Sequence, residues 1–263
     1  MTLGGTPAPG AEPGAAFECD RLVKSFHGRE VVHGLSLSVP RGSMFGLVGP
    51  NGAGKTTTLS MATGLLRPDA GTARILGADV WADPSAAKAL MGVAPDGMRL
   101  FEQLSGRELL EYVGALRRMP RATAAQRTAE LLDVLGLAGD SDVVVADYSA
   151  GMVKKIALAT ALIHAPRVLV LDEPFEAVDP VSGQTIRTIL RRFVEGGGTV
   201  IMSSHVMELV EGLCDRVAVI VDGRVRAAGT LEELRGDKTL HERFLELVGA
   251  SDAGVGGLTW LDS

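Results

Sequence analysis

The sequence predicts an α/β fold with a mostly parallel sheet, on three observations. Beyond Val39, short apolar runs alternate with helical stretches, the pattern of parallel strands joined by helices. Before that point, β-branched runs such as EVV and LSLSV follow one another without a helix, which predicts an N-terminal antiparallel β subdomain. From about 97 to 163 the pattern is helical throughout, which predicts an inserted helical subdomain.

The individual elements of this prediction follow from local patterns. SMFGLVG, RVLVLDE and GTVIMSSH are short and nearly all apolar, as strands buried on both faces are. SGRELLEYVGALRRM and TAAQRTAELLDVLGL have helical spacing, with no convincing strand between them. The clearest helix starts at Ser182 and has one apolar face, made of Ile186, Ile189, Leu190, Phe193 and Val194.

Length and composition predict one sizeable folded domain. The chain has 263 residues, of which 46% are hydrophobic and 22% charged, with 33 glycines, so it can bury an extensive core. The first residues, MTLGGTPAPGAEPGAA, and the last, from ASDAGVGGLTW onward, are rich in small residues. We expect flexible tails at 1–16 and 250–263 and a folded domain at 17–249.

Charge and hydropathy exclude several classes of function. A net charge of −6 and basic clusters no longer than pairs such as Lys154-Lys155 argue against a nucleic-acid partner, and we expect those pairs to be solvated helix faces. The segment most like a membrane span, Ile156 to Leu171, is interrupted by His164, Pro166 and Arg167, so no membrane span is expected. The N-terminus lacks the pattern of a secretory signal. Two cysteines are too few for a disulfide framework.

The most informative segment is GPNGAGKTT, which fits G-x-x-x-x-G-K-[S/T] between an apolar strand and a helix. Glycines let consecutive N–H groups curl around phosphate oxygens, while the lysine neutralises phosphate charge and the following hydroxyl ligates Mg²⁺. A plain glycine-rich turn is the alternative. We predict a P-loop NTPase core that binds a nucleoside triphosphate through Gly49, Pro50, Asn51, Gly52, Ala53, Gly54, Lys55, Thr56 and Thr57.

A second segment, VLVLDEP, supplies carboxylates at the end of a buried strand. Because α/β folds bind ligands at the carboxyl edge of the sheet, Asp172 is expected to hold Mg²⁺ and Glu173 to accept a proton from the attacking water. The alternative is a buried strand that ends in an acidic turn. No Asn-Lys-x-Asp guanine-reading motif is present, which disfavours GTP.

A third segment, DYSAGMVKKIALA, begins a helix with small and polar residues. Ser149, Ala150 and Gly151 would leave unpaired N–H groups at a helix N-terminus, which is an anion site. The alternative is an ordinary N-cap, in which Ser149 satisfies only its own helix.

Taken together, these segments resemble the ATP-binding subunits of ABC transporters, from about Phe17 to Gly249. AVDP, with Asp179, resembles the family's D-loop, and MSSH, ending in His205, resembles its switch-histidine segment. Phe26 in LVKSFHG lies where the family places an aromatic that stacks on adenine. YSAGM occupies the place of the Leu-Ser-Gly-Gly-Gln signature.

The resemblance implies a role for each of these residues. His205 should bond the γ-phosphate and the attacking water, and Asp179 should bridge two subunits. The signature residues Ser149, Ala150 and Gly151 should contact the ATP held by the opposite subunit. Taken alone, Phe26 is more typical of a core residue, and His205 is more typical of a structural histidine with satisfied hydrogen bonds.

The sequence departs from the family pattern in two places. Tyr148, Ala150 and Met152 replace Leu, Gly and Gln of the signature, and Met152 loses the hydrogen-bonding groups of the amide. Asp96 in VAPDG lies where the family has Gln, or Glu in some members, and is a candidate Mg²⁺-sensing residue, although PDG is also a plain turn.

The function that the resemblance implies is ATP hydrolysis that powers transport through a separate transmembrane permease, at the cytoplasmic face of the membrane. The C-terminal region is similar to ABC-2 type exporter ATPases, so we expect export, a homodimer or heterodimer of ATPase subunits, and permease docking near Asp96 to Tyr112. The alternative is an ABC-type assembly or scaffold ATPase without a permease, and a third possibility is a nucleotide-binding regulatory subunit. DNA-repair relatives need long coiled coils, and no heptad tract is present.

Overall fold

The computed structural model describes residues 14–97 and 99–249, and nearly all of both expected tails lies outside them. The strands are β1 (Ala15–Phe26), β2 (Arg29–Pro40), β3 (Met44–Val48), β4 (Ala70–Ile75), β5 (Ala78–Asp79), β6 (Met91–Ala94), β7 (Val168–Leu171), β8 (Thr199–Ser204), β9 (Arg216–Val221) and β10 (Arg224–Thr230). The helices are α1 (Lys55–Ala62), α2 (Pro84–Leu90), α3 (Gly106–Leu116), α4 (Arg121–Val134), α5 (Ala150–Leu162), α6 (Pro180–Glu195), α7 (Met207–Leu213), α8 (Leu231–Arg235) and α9 (Leu240–Val248).

The central sheet has the strand order β10-β9-β3-β8-β7-β6. Its pairs are parallel from β9 through to β6, and only β10 runs antiparallel, beside β9. Every residue of β3, β7 and β8 is buried, as their near-continuous apolar sequences predict. Because these strands are parallel, the loops that follow β3, β6, β7 and β8 meet at one edge.

A second, antiparallel sheet has the order β2-β1-β4-β5. The predicted antiparallel subdomain is therefore present, and EVV and LSLSV both belong to one long strand, β2. The other members β4 and β5 follow α1 in the chain. Strand β1 begins at Ala15, so its first two residues lie within the expected tail at 1–16.

Two hydrophobic clusters cover the two faces of the central sheet. Met44 and Val48 of β3 belong to the cluster that also contains the helical region, whereas Phe45 and Leu47 belong to the cluster shared with the antiparallel sheet. This alternation follows from the period of two along a strand. The central sheet is thus held between the helices and the antiparallel sheet, and its carboxyl edge is fixed from both sides.

The helical region consists of α3, α4 and α5. Between 99 and 163, the described residues contain no extended strand, only one antiparallel bridge that joins Ser105 to Val144. The Ser105 hydroxyl accepts from the N–H of Glu108, and the Glu108 carboxylate accepts from the N–H of Ser105, so α3 begins with a capping box. Helix α5 packs on β6 so closely that a Cβ at Gly92 would lie 2.0 Å from the carbonyl oxygen of Ala161.

A half-buried histidine lies where α5 meets β6. His164 Nε2 is 3.0 Å from the carbonyl oxygen of Met91, so Nε2 carries the proton that is donated. Nδ1 is buried and has no hydrogen-bond partner among the described residues. Burial, together with the nearby charges of Arg117 and Arg127, lowers the pKa of His164 to about 4. The residue is therefore neutral at neutral pH.

Of the helices within 14–97 and 99–249, none has both the length and the apolar character needed to span a bilayer.

Candidate active site

The phosphate-loop segment leaves β3 and enters α1 through a tight turn that requires glycine. Gly52 and Gly54 have φ angles of +79° and +97°, in the left-handed region that side chains disfavour. A Cβ at Gly49 would lie 2.3 Å from the carbonyl oxygen of Ile220. The main chain therefore follows this path only with glycines, and α1 starts directly from it at Lys55.

Lys55 is the positive charge of this loop. Its side chain is buried, with 7% of the residue exposed, and Nζ donates to the carbonyl oxygen of Gly49 at 2.7 Å. Burial lowers the pKa of Lys55, an effect that the carboxylates of Glu173 and Asp172 oppose. The ammonium thus lies folded over the loop, where it can contact phosphate oxygens.

A cleft of about 410 Å³ opens beside the loop, within the size range of ligand sites. Most of the predicted residues line it, together with Val31 and Glu176. Its lining residues are Val31, Asn51, Gly52, Ala53, Gly54, Lys55, Thr56, Thr57, Asp96, Glu173, Glu176 and His205. Phe26 does not line the cleft, is 41% exposed and has the Lys24 ammonium 5.8 Å from its ring centre.

Asp172 and Glu173 are joined by a serine that the sequence analysis missed. Ser203 lies in β8 and is fully buried, and its hydroxyl donates to Oδ1 of Asp172 at 2.5 Å. The Ser203 hydroxyl oxygen in turn accepts from the N–H of Glu173 at 2.9 Å. A hydroxyl near the end of an otherwise apolar strand is the signal that could have identified Ser203.

Glu173 is held in a strained conformation beside His205. Its φ angle is +47°, in the left-handed region, although it is not a glycine. Oε2 lies 3.0 Å from His205 Nδ1. Because a carboxylate only accepts, Nδ1 donates this hydrogen bond and Nε2 is left as the acceptor in the neutral ring.

Asp96 is paired with a lysine, which corrects one expectation. Lys154 Nζ donates to Oδ1 of Asp96 at 3.1 Å and to the carbonyl oxygen of Glu173 at 3.0 Å. The expectation that the Lys154-Lys155 pair is a solvated helix face is therefore wrong for Lys154, whose side chain is only 22% exposed. Sequence spacing could not identify this contact, because Asp96 and Lys154 lie on elements far apart in the chain.

The signature-like residues lie apart from the cleft, beside Asp179. The Ser149 hydroxyl accepts from the N–H of Met152 at 3.3 Å and caps α5, which is the ordinary role considered above. Asp179 caps α6 by accepting from the N–H groups at 181 and 182. A Cβ at Gly151 would lie 3.0 Å from Asp179 Oδ2. Ser149, Ala150, Gly151 and Asp179 are absent from the cleft lining.

The residues present fit a magnesium–nucleoside triphosphate. A Cβ at Gly54 would lie 3.2 Å from the carbonyl oxygen of Val31, so a side chain there would be crowded and the bare main chain is left for phosphate oxygens to approach. The Lys55 ammonium and the N-terminus of α1 suit the phosphates. The Thr56 hydroxyl and the Asp172 carboxylate, which is 5% exposed, are the hard oxygen ligands that Mg²⁺ prefers.

Comparison with known proteins identifies the family. The sequence pattern described as ABC transporter matches residues 32–176. The chain is 40% identical to the daunorubicin/doxorubicin resistance ATP-binding protein DrrA of Streptomyces peucetius, covering 85% of this chain and 68% of that protein. It is 39% identical to ABC transporter A family member 7 of Arabidopsis thaliana, covering 84% of this chain but only 24% of that longer protein.

A solved structure described as an ATP-binding subunit of an ABC transporter has the same fold. Its TM-score is 0.82 at 27% identity, and the match covers 88% of this chain and 99% of that one. The α/β architecture is therefore that of an ABC transporter ATP-binding subunit. The chain belongs to the ABC transporter family, as an ATP-binding subunit that hydrolyses ATP.

Proposed function

We propose that the chain powers export through a separate transmembrane permease, at the cytoplasmic face of the membrane. The observation that carries this proposal is the 40% identity to DrrA, a protein named for daunorubicin and doxorubicin resistance, over 68% of that protein. Because the match extends through most of both chains, the likeness is to a whole ATP-binding subunit. The exported molecule is selected by the permease.

Binding of ATP is assigned to the loop and the first turn of α1. The main-chain N–H groups of 51–54 and the Lys55 ammonium hold the β- and γ-phosphates, and the folded-back ammonium needs only to exchange its carbonyl partner for a phosphate oxygen. Thr56 and Asp172, with Asp96 as a further candidate, would hold Mg²⁺, which supplies charge neutralisation on the phosphates. Phe26 is assigned to the adenine, outside the phosphate cleft.

Hydrolysis is assigned to Glu173 and His205. The Glu173 carboxylate lines the cleft and accepts from His205, so it is oriented before water arrives. A carboxylate in this place can accept a proton from the attacking water, while the imidazole orients the reacting groups by hydrogen bonding. Ser203 fixes the main chain of Glu173 from the opposite side.

Pairing of two ATPase subunits is assigned to the surface that carries Ser149, Ala150, Gly151 and Asp179. These residues lie together and outside the chain's own cleft, which supports a role in contacting a nucleotide held by another subunit. The first N–H groups of α5 are suited to a γ-phosphate. ATP would then join two subunits, and its hydrolysis would release them.

The test is light scattering on the purified Glu173→Gln protein with and without MgATP, since blocked hydrolysis should trap a nucleotide-bound dimer. A doubling of mass supports pairing of two copies of this chain. The matched control adds Lys55→Ala, which should abolish both nucleotide binding and the mass increase. A monomer that still binds ATP would contradict self-pairing and point to a second, different ATPase subunit.

The role of the permease is tested in cells that express the chain. The protein should sediment with the membrane fraction and should remain in the supernatant when the gene for its membrane partner is deleted. If deletion of that gene left the sedimentation of the protein unchanged, or if the proteins that co-purify with it were only assembly factors, the assembly ATPase would be favoured over the exporter.

A further inference from the structure

Lys154 joins two loops at the carboxyl edge of the central sheet. It lies in the second turn of α5, and its ammonium donates to Asp96, after β6, and to the carbonyl oxygen of Glu173, after β7. Both hydrogen bonds join residues that are far apart in the sequence, because the two partners lie in the loops after different strands. The side chain is 22% exposed, so much of it is held away from solvent.

The charges around the cleft explain why a cation is needed at this point. Asp96, Glu173 and Glu176 all line the same cleft, and like charges that lie close together in a partly enclosed site repel one another. The Lys154 ammonium lies against the Asp96 carboxylate at 3.1 Å and compensates its charge. The aspartate that replaces the family's glutamine therefore has a charged partner on α5.

The main chain of Glu173 is the second partner of Lys154, and it is strained. A left-handed conformation in a residue other than glycine persists only where its surroundings enforce it. The N–H is held by Ser203 of β8 and the side chain by His205, which follows β8. The carbonyl oxygen accepts from the N–H of Glu176 at 3.2 Å within its own loop and from Lys154 at 3.0 Å, so Lys154 is the partner that ties it to α5.

We propose that Lys154 is a positioning residue for ATP hydrolysis, which holds the Glu173 main chain in its strained conformation and links it to Asp96 and to α5. This proposal rests on the assignment of Glu173 as the proton acceptor. Lys154 itself contacts neither water nor phosphate in this scheme. It transmits the position of α5, the helix capped by Ser149, to the catalytic carboxylate.

The first test needs no nucleotide. Amide hydrogen exchange, measured by mass spectrometry on the nucleotide-free protein, should be faster by about fivefold or more in residues 173–178 of Lys154→Met, because one of the restraints on this loop is lost. Lys155→Met is the matched control. Lys155 is adjacent, and its side chain makes no hydrogen bond or ion pair with any described residue. Exchange in the control should match that of the unaltered protein.

The second test separates chemistry from binding. In Lys154→Met, kcat should fall by about tenfold while KM for MgATP stays within about twofold, because the carboxylate is misplaced but the phosphate loop is intact. Lys154→Arg keeps the charge and the donors and should restore most of kcat. Added to Glu173→Gln, Lys154→Met should cause no further loss, since both changes act on one group.

Three results would overturn the proposal. They are exchange in 173–178 that is unchanged by Lys154→Met, equal loss of kcat in the Lys155→Met control, and a full additional loss of activity in the Glu173→Gln background. Failure of the underlying assignment is distinguishable. If Glu173→Gln alone retained full hydrolysis, Glu173 would not be the proton acceptor, whereas the exchange experiment would still report whether Lys154 holds the loop.

Discussion

Ser203 carries the sharpest prediction, because its one buried hydroxyl joins Asp172 and Glu173, the proposed magnesium ligand and the proposed proton acceptor. Ser203→Ala removes the 2.5 Å bond to Asp172 and the 2.9 Å bond from the Glu173 N–H. A hydrogen bond to a charged group contributes about 1.5–3 kcal/mol, and an N–H left without a partner costs about 1–3 kcal/mol. Because both bonds use one oxygen, we expect the free energy of unfolding to fall by about 2–4 kcal/mol.

The effect on hydrolysis should exceed the effect on binding. With Ser203→Ala, the Glu173 main chain loses its restraint from β8, and a displacement of the catalytic group of about 1 Å can lower kcat by about 100-fold. The affinity for ATP should change little, because the phosphate loop does not contact Ser203. The assays are urea unfolding, ATP turnover with excess Mg²⁺, and equilibrium binding of a fluorescent ATP analogue.

The matched control is Ser43→Ala. Ser43 is also buried, but its hydroxyl donates only to the carbonyl oxygen of Pro40 at 2.7 Å, at the opposite end of β3 from the phosphate loop. This change should cost about 1 kcal/mol and leave kcat unaltered. If Ser203→Ala had the same stability and the same turnover as Ser43→Ala, the assignment of Ser203 as a link between the carboxylates would be refuted.

Three further predictions concern the contacts of the helical region. Gly92→Ala should lower the free energy of unfolding by about 3 kcal/mol in urea titrations, since its Cβ would lie 2.0 Å from the carbonyl oxygen of Ala161, and an unchanged midpoint would contradict that packing. The pKa of His164 is about 4 in the folded chain against 6.5 ordinarily, so the unfolded chain binds more protons between these values. The free energy of unfolding should therefore fall as the pH drops through this window, by at most about 1.4 kcal/mol per pH unit, and His164→Gln should remove this contribution; identical pH profiles would disprove it. Tyr148→Phe removes the bond from the Tyr148 hydroxyl to the carbonyl oxygen of Asp140 and should lower the free energy of unfolding by about 1 kcal/mol, seen as a lower urea midpoint at constant m, whereas a change in m would point to a different cause.

The sequence predicted those parts of the fold that depend on local patterns of apolar and polar residues. The buried strands β3, β7 and β8 are short, nearly all apolar runs, and the helical region has a clear helical period, so both were predicted. The membership of the antiparallel sheet was not predictable in this way. Strands β4 and β5 join β1 across α1, and a pairing between distant segments leaves no mark in the period of either strand.

The residues of the candidate site were likewise predicted where the sequence signal is local and missed where it is not. The phosphate loop was predicted, and so was the Asp172–Glu173 pair, because each is a short continuous segment with a recognisable residue spacing. Ser203 and Lys154 were missed because each acts through a contact between distant segments. Lys154 in particular follows a signature-like helix start and has an equally charged neighbour, and nothing in the local sequence indicates which of the two lysines faces inward.

At Glu173, the left-handed main-chain conformation lowers the stability of the fold, while the side chain is the proposed proton acceptor for hydrolysis. Glycine would relieve the main-chain strain at this position, and asparagine would reduce it, so either substitution should raise the free energy of unfolding unless the lost contacts to His205 outweigh the gain. Both would also remove the carboxylate. Selection for thermal resistance alone is therefore expected to yield substitutions at position 173. Such variants would still bind ATP but would no longer hydrolyse it. A screen that measures only stability would then reveal a residue needed for hydrolysis.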